Sequence, residues 1–246
     1  MYLALHTLHV LYSTVSTKDW DCVVYVYSPR HVKEFWEAPE LKTLYELCNV
    51  VEVPHQKFTT NLHMVQPMFL VDRYAYVFIL LDDVLLKPDF NMISFVSIMQ
   101  KNNLTSASLR IEGATDTNVN MMAFPESGTV GLKTNFVEIF AYVMTIPAYT
   151  ALWQLLYPSI NPYGWGYDLW YDCVAKKGNF NHSMGVISVY SATHQQGDVQ
   201  ADNSGWEAKH DAMIKQEKYF AEYHKILDLE ECRVNLKDSV LGKLYD

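Results

Sequence analysis

The fold is indicated first by Tyr74-Ala75-Tyr76-Val77-Phe78-Ile79-Leu80-Leu81, the most hydrophobic stretch of the sequence. A run of apolar and aromatic residues of this length is typical of a central strand that is buried on both faces of a sheet. The run ends at Asp82-Asp83, where two neighbouring carboxylates follow it directly. We therefore expect a central strand whose carboxyl end carries acidic side chains.

Segments typical of strands and of helices alternate on both sides of this stretch. Strand-like segments, rich in β-branched and aromatic residues, lie at 21–27, 48–53, 106–111, 136–144 and 185–190. Helical periodicity covers 32–47, 58–72, 88–102, 147–156, 163–175 and 206–228. Pro67 is expected to kink or break the second of these helices. The polar stretch 112–133 predicts a long loop or an irregular hairpin.

This alternation predicts an α/β fold, in which helices flank a central, mostly parallel sheet. The length of 246 residues fits a single domain over 1–246. We expect its core to cover about 1–198 and a helical C-terminal extension to cover about 205–246.

The composition excludes several classes of protein. Half of the residues are apolar, which excludes a disordered chain. The chain has 19 Lys and Arg residues against 28 Asp and Glu residues, a net charge of −9, and no basic cluster. It is therefore a poor binder of nucleic acid, whose phosphates are gripped by clustered cations, and it lacks a polybasic membrane patch. No apolar run approaches the ~20 residues that cross a bilayer.

The four cysteines lie far apart and show no zinc-binding spacing: Cys22, Cys48, Cys173 and Cys232. We expect reduced thiols in an intracellular, cytoplasmic protein. The alternative is the lumenal domain of a Golgi enzyme separated from its membrane anchor.

Targeting and modification signals are weak. Residues 1–12 are apolar but interrupted by His6 and His9, and they predict a buried first strand rather than a signal peptide. The sequence contains two N-x-S/T sequons, Asn103-Leu104-Thr105 and Asn181-His182-Ser183. Such triplets arise often by chance, so they indicate little without a secretory signal.

Asp82-Asp83 is the sharpest local signal of a functional site. Open α/β sheets bind ligands outside the carboxyl ends of their strands, where this pair is expected to lie. Two adjacent carboxylates repel each other, and a divalent cation relieves that repulsion. The alternative is a turn or a helix N-cap, since Asp is common after strands.

A second signal is the segment Tyr163-Gly164-Trp165-Gly166-Tyr167-Asp168. Two glycines around a tryptophan permit a tight turn that exposes the indole ring, and Asp168 follows at the expected start of a helix. A helix N-terminus stabilises an anion, which would keep Asp168 ionised at neutral pH. The alternative is a glycine turn with Asp168 as a simple N-cap.

A third signal is Thr193-His194-Gln195-Gln196, which follows the predicted strand at 185–190. A neutral imidazole at the end of a strand can ligate a metal ion, although a single His is more often structural. The combination of the three signals in this order carries more information than any of them alone.

In this order the motifs resemble those of sugar-nucleotide transferases with the GT-A fold. Gly164-Trp165-Gly166-Tyr167-Asp168 is similar to the Gly-Trp-Gly-Gly-Glu-Asp segment of β-galactosyltransferases. More specifically, 76–84, 163–168 and 184–196 resemble three motifs of a poorly characterised glycosyltransferase-like family of plants and bacteria: Trp-Asp-Glu-Asp-Leu, His-Gly-Trp-Gly-Leu-Asp and a C-terminal Val-His-Gln-Gly. The likeness covers about residues 20–198. Leu81-Asp82-Asp83 stands where that family has Asp-Glu-Asp, so the first carboxylate is missing.

The resemblance implies a metal-dependent, inverting glycosyltransferase. Mn²⁺ or Mg²⁺ would be held by Asp83 and His194, with Asp82 close by, and would bridge the diphosphate of a UDP- or GDP-sugar donor. Asp168 would act as the catalytic base on the hydroxyl of a glycan acceptor.

The resemblance also implies where the substrates lie. The nucleotide would lie near Tyr27, Ser28, Pro29 and Arg30, with Lys57 and Asp82 as further donor contacts. Gly164, Trp165 and Gly166 would form the acceptor side, with the indole ring of Trp165 as a platform for a sugar. Two rival classes stay open: a metal-dependent phosphoesterase, and a non-catalytic module that binds a nucleotide sugar or a carbohydrate.

Overall fold

The computed structural model describes residues 20–26, 46–53, 55–81, 83–112, 124–139, 141–178, 180–194, 203–223, 232 and 239–246. The predicted first strand at 1–12 and most of the predicted helix at 32–47 lie outside these residues.

The described residues form nine strands and five α-helices, which are interspersed along the chain. The strands are β1 (Val23–Val26), β2 (Asn49–Glu52), β3 (Tyr76–Leu80), β4 (Val84–Leu86), β5 (Ser106–Glu112), β6 (Gly131–Thr134), β7 (Ala141–Thr145), β8 (Met184–His194) and β9 (Val240–Leu244). The helices are α1 (Phe58–Met64), α2 (Met92–Lys101), α3 (Ile146–Leu155), α4 (Tyr167–Lys177) and α5 (Asn203–Tyr223). The predicted break at Pro67 is confirmed, because α1 ends at Met64 and a short 3₁₀ helix begins at Pro67.

The strands form two sheets, and the predicted α/β fold class is confirmed. β1 and β2 pair in parallel. The larger sheet has seven strands in the order β3-β7-β5-β8-β6-β9, with β4 paired to β8. The sheet is mixed: β5 and β8 are parallel neighbours, and the other neighbouring pairs are antiparallel. Consequently β3, β5, β8 and β9 run in one direction, and β4, β6 and β7 run in the other.

The most hydrophobic strand is not the central one, so that expectation is wrong. Among the described residues β3 pairs only with β7, at one end of the strand order, and it is mostly half-buried. The central positions of the strand order belong to β5 and β8, which are mostly buried, although β5 includes Ser106 and Ser108. Hydropathy and burial differ here because small polar residues fit a tightly packed interior once they are hydrogen-bonded, as Ser108 is to the backbone.

The C-terminal extension is also only partly as predicted. Its helix is present as α5, but the chain then returns to the large sheet as β9, which pairs antiparallel with β6. A strand of five residues is too short to show a clear period in the sequence. Only its pairing with β6 shows that Val240–Leu244 belongs to the large sheet.

Two disulfides overturn the expectation of reduced cysteines. Cys22 pairs with Cys48 beside β1 and β2, and Cys173 of α4 pairs with Cys232. Separations of 26 and 59 residues hide this proximity from the sequence. The cytoplasmic expectation rested on reduced thiols and therefore loses its basis, since disulfides persist mainly in oxidising compartments. None of the described helices has the length and hydrophobicity of a membrane span.

The carboxyl ends of β3, β5 and β8 and the amino end of β7 lie at the same edge of the large sheet. Leu80 at the carboxyl end of β3 pairs with Ala141 at the amino end of β7. Glu112, which ends β5, pairs with Thr193, and His194 ends β8. The predicted site residues that follow these strands are therefore brought to the same edge.

Candidate functional site

Asp83 and His194 meet at this edge. Asp83 lies in the turn between β3 and β4, and the next residue, Val84, pairs with His194 across the β4–β8 ladder. The short strand β4 is held against β8 because the side chains of Val84 and Leu86 are buried. As a result, Nε2 of His194 lies 3.0 Å from Oδ2 of Asp83.

This contact has electrostatic consequences. The hydrogen bond to Asp83 raises the pKa of His194 above its usual range, although partial burial opposes the rise. The other carboxylate oxygen of Asp83, Oδ1, is buried and accepts no hydrogen bond from the described residues. A buried acceptor without a donor is costly, so this oxygen of Asp83 has unused capacity for a ligand.

Asp168 lies in the first turn of α4, where the backbone N–H groups of Asp168 and Leu169 donate to its carboxylate. The N-cap is Gly166, so the simple N-cap alternative for Asp168 is wrong. Burial and the nearby carboxylate of Glu138 nevertheless raise the pKa of Asp168 to about 7. Desolvation thus outweighs the helix N-terminus, and the expectation that the helix keeps this group fully ionised at neutral pH is wrong.

The residues around Asp168 are firmly held. Tyr167 is fully buried, and its hydroxyl accepts hydrogen bonds from Nε2 of Gln216 in α5, at 2.7 Å, and from the backbone N–H of Tyr157. Trp170 is buried and packs against Phe220 of α5, with ring centroids 4.7 Å apart. The first turn of α4 is therefore anchored by large side chains.

Glu138 is a site residue that the sequence analysis did not identify. It is buried, and its charge raises the pKa values of both Asp168 and His194, which places the three ionisable groups in one electrostatic cluster. It lies shortly before β7, whose amino end belongs to the same sheet edge. The available signal was a single carboxylate inside the apolar run Phe136-Val137-Glu138-Ile139-Phe140. A charge in such a run is buried only where its surroundings compensate for desolvation.

The Gly-Trp-Gly segment forms a loop that presents its indole ring. Gly164 and Gly166 have φ angles of 78° and 90°, a left-handed conformation that favours glycine. A Cβ at Gly164 would also collide with the ring of Phe58, and one at Gly166 would collide with Met213. Trp165 between them is 41% exposed, whereas most large aromatic side chains nearby are buried. The ring is therefore accessible to a ligand.

The predicted donor-binding residues are only partly described. Tyr27, Ser28, Pro29, Arg30 and Asp82 lie outside the described residues.

Lys57 is the one predicted donor contact that lies within the described residues. It is exposed and directly precedes α1. Its Nζ lies 5.6 Å from the ring centroid of Tyr163. The structure therefore brings Lys57 to the loop that carries Trp165.

Two cations lie where β5 ends, and both are paired. Nζ of Lys87 lies 3.1 Å from Glu112, and the guanidinium of Arg110 lies 2.7 Å from the same carboxylate. Arg110 also stacks on the ring of Phe124. Burial by itself would raise the pKa of Glu112, but the hydrogen bond from Lys87 and the charge of Arg110 lower it overall.

A serine, a histidine and an aspartate form a second polar cluster, but it is buried. Oγ of Ser106 lies 3.2 Å from Nε2 of His182, and Nδ1 of His182 lies 3.3 Å from Asp172 of α4. All three residues are buried, so a substrate has no access to the hydroxyl. The cluster ties α4 to β5 and supports the helix that carries Asp168.

A metal ion at this edge would be held mainly by Asp83 and His194. Within the described residues there is no group of three or more His, Cys, Asp or Glu side chains that could hold an ion. A carboxylate oxygen and an imidazole nitrogen together suit Mn²⁺, and a cation on a diphosphate commonly takes one or two protein ligands plus phosphate oxygens and water. The unused Oδ1 of Asp83 fits this arrangement.

No protein-family model and no curated protein matches the sequence. Among solved structures, the chain is similar to apo-UDP-glucose pyrophosphorylase, with a TM-score of 0.43, 10% identity, and coverage of 89% of this chain and 87% of that chain. It is similar to UDP-glucose pyrophosphorylase complexed with UDP-glucose, with a TM-score of 0.42 and the same identity and coverage. At this level of similarity the matches assign no family.

The raised pKa of Asp168 predicts how stability depends on pH. Between about 4 and about 7 the folded protein holds the Asp168 proton more tightly than the unfolded chain, so the free energy of unfolding falls as pH rises through this window. We expect Asp168→Asn to be more stable than wild type at about pH 8, with the difference vanishing near pH 4. Urea unfolding of both proteins at several pH values measures this difference in the free energy of unfolding.

A matched control lies one helical turn later. Asp172 pairs with Lys176 at 2.7 Å and lies near His182, so Asp172→Asn should lose stability at about pH 8. A loss of stability in Asp168→Asn at that pH would contradict the inference that the charged carboxylate of Asp168 destabilises the folded protein.

Proposed function

We propose that the protein is a metal-dependent, inverting glycosyltransferase, which moves a sugar from a UDP- or GDP-sugar donor to the hydroxyl of a glycan acceptor. The observation that carries the proposal is one electrostatic cluster, in which the charge of Glu138 acts on two kinds of group. The Asp83–His194 pair suits a cation, and Asp168 has a pKa of about 7, which suits a general base.

Donor binding is assigned to the metal-binding pair. Asp83 and His194 would hold Mn²⁺ or Mg²⁺, with Asp82 as a further contact. The bound ion supplies Lewis-acid neutralisation of the charge on the leaving diphosphate. Tyr27, Ser28, Pro29 and Arg30 remain the proposed nucleotide contacts, and Lys57 is a proposed phosphate contact.

Acceptor activation is assigned to Asp168. An oxygen of its carboxylate takes the proton of the acceptor hydroxyl while the hydroxyl oxygen bonds to the anomeric carbon of the donor. The bond from that carbon to the diphosphate oxygen breaks at the same time, so configuration inverts. A base whose pKa lies near neutral pH is half ionised there and binds a transferred proton well. Desolvation is the main cause of this raised pKa, and the charge of Glu138 adds to it by repelling the charged form of Asp168.

Acceptor positioning is assigned to the loop 164–166. The exposed ring of Trp165 offers an apolar face to a sugar, and the flanking glycines adopt the left-handed turn that presents the ring. The anchored first turn of α4 joins this platform directly to Asp168, so one rigid segment would orient the acceptor and deprotonate it.

The first test of the proposal replaces the base. Asp168→Asn should bind the donor with near-normal affinity but transfer sugar at least ~100-fold more slowly, because a positioned base contributes about 10²–10⁴-fold. The wild-type rate of the chemical step should rise with pH through about 7 as Asp168 ionises, and the variant should lack this rise. Single-turnover transfer assays measure both. A variant that keeps more than about a tenth of the wild-type rate would contradict the assignment.

The second test concerns the cation. Asp83→Ala and His194→Ala should each weaken donor binding that depends on Mn²⁺ by about tenfold or more, since each removes one ligand. Asp82→Ala should have a milder effect. Calorimetry with and without EDTA measures the affinity, and His63→Ala, whose ring instead stacks on Trp153, is the control. Unchanged donor affinity in both ligand variants would exclude this metal site.

The third test concerns the acceptor platform. Trp165→Ala should raise the KM for the acceptor about fivefold or more and leave donor affinity unchanged, because a stacking ring contributes ~1 kcal/mol. Leu241→Ala, another exposed apolar side chain, lies on β9 and should change neither value. A Trp165→Ala protein that unfolds would instead indicate a structural role.

The same assays separate the rival classes. Slow hydrolysis of a nucleotide-sugar donor with Mn²⁺ is expected of a transferase. Cleavage of generic phosphoesters would indicate a phosphoesterase, and donor binding without any turnover would indicate a binding module.

A further inference from the structure

Both sequons place their asparagine on the surface. Asn103 is exposed in the turn between α2 and β5, with a φ angle of 53°. Asn181 is exposed in the segment that precedes β8. In contrast, the neighbouring Asn102 uses its side-chain amide to donate to the carbonyl oxygens of Ile98 and Tyr245. Unlike Asn102, the two sequon asparagines are exposed and leave room for a large attached group.

The two sequons lie side by side. The backbone N–H of Thr105 donates to the carbonyl oxygen of Ser183 at 2.9 Å, and the N–H of Ser183 donates to Oγ1 of Thr105 at 3.0 Å. The next residues, Ser106 and Met184, begin the parallel ladder of β5 and β8. Both asparagines therefore lie at the amino ends of these strands.

This edge is opposite to the candidate functional site. Asp83 and His194 lie at the carboxyl end of β8, an eleven-residue strand that starts at Met184. Bulky groups on Asn103 and Asn181 would consequently be attached at the ends of β5 and β8 that lie opposite Asp83 and His194.

The disulfides supply an independent observation. Cys22–Cys48 joins the residues that directly precede β1 and β2, and Cys173–Cys232 joins α4 to the C-terminal segment. Disulfides of this kind form in oxidising compartments such as the lumen of the secretory pathway. N-linked glycans are added to N-x-S/T asparagines of proteins that enter that pathway, and such sites lie in surface loops.

We propose that Asn103 and Asn181 are N-glycosylation sites, and that the mature protein carries two glycans on the sheet edge opposite the candidate functional site. The co-reactant is a lipid-diphosphate-linked oligosaccharide, delivered by a separate transferase. The side-chain amide nitrogen of Asn bonds to the anomeric carbon of the oligosaccharide, the bond from that carbon to the diphosphate oxygen breaks, and the lipid diphosphate leaves. One amide proton passes to a base. Because Oγ1 of Thr105 is engaged by Ser183 in the folded protein, the transfer precedes closure of that contact.

The test uses the full-length protein purified from the cells that naturally produce it. Peptide mass spectrometry before and after treatment with peptide N-glycosidase should find a glycan on both asparagines, each converted to aspartate on release. Non-reduced digests should contain both cysteine pairs as linked peptides.

Variants expressed in the same cells assign each glycan. Asn103→Gln and Asn181→Gln should each lose one glycan by intact mass, and the double variant should lose both. Asn49→Gln changes an exposed asparagine outside any sequon and should keep both glycans. Unmodified asparagines in protein with both disulfides formed, or free thiols together with unmodified asparagines, would overturn the proposal.

Discussion

The pairing of β4 with β8 is the constraint on which the candidate site depends. β4 has only three residues, yet Val84 and Leu86 are buried, and the ladder aligns Val84 with His194. This alignment brings Asp83, at the end of the preceding turn, within 3.0 Å of a histidine that is 111 residues away in sequence. Without this pairing, the carboxylate and the imidazole would be unrelated surface groups.

The second component of the site is held by packing. Tyr167 and Trp170 anchor the start of α4 against α5, and the buried cluster of Asp172, His182 and Ser106 fixes the helix to β5. This support allows the carboxylate of Asp168 to stay desolvated beside Glu138, an arrangement that costs stability at neutral pH. Carboxyl groups with raised pKa values are common at sites where a side chain exchanges protons near neutral pH.

Several features were predictable because they depend on local sequence. Alternating periods indicated the α/β class, Pro67 indicated the break after α1, and two glycines indicated the turn that exposes Trp165. Hydropathy was misleading for β3, which lies at one end of the described strand order, and for β9, whose apolar residues carry no signal of their partner β6. In both cases burial depends on neighbours that a single segment does not reveal.

The sequence by itself determined which chemical groups are available: a pair of carboxylates after a strand, an aspartate after a glycine turn, a histidine after another strand, and two sequons. Only the tertiary structure decided which of these groups meet. It joined Asp83 to His194, added Glu138 to the environment of Asp168, and paired the cysteines that the sequence left apart. The physical reason is that ladder register, desolvation and disulfide formation depend on distances between residues far apart in the chain, and local patterns of hydrophobicity do not encode those distances.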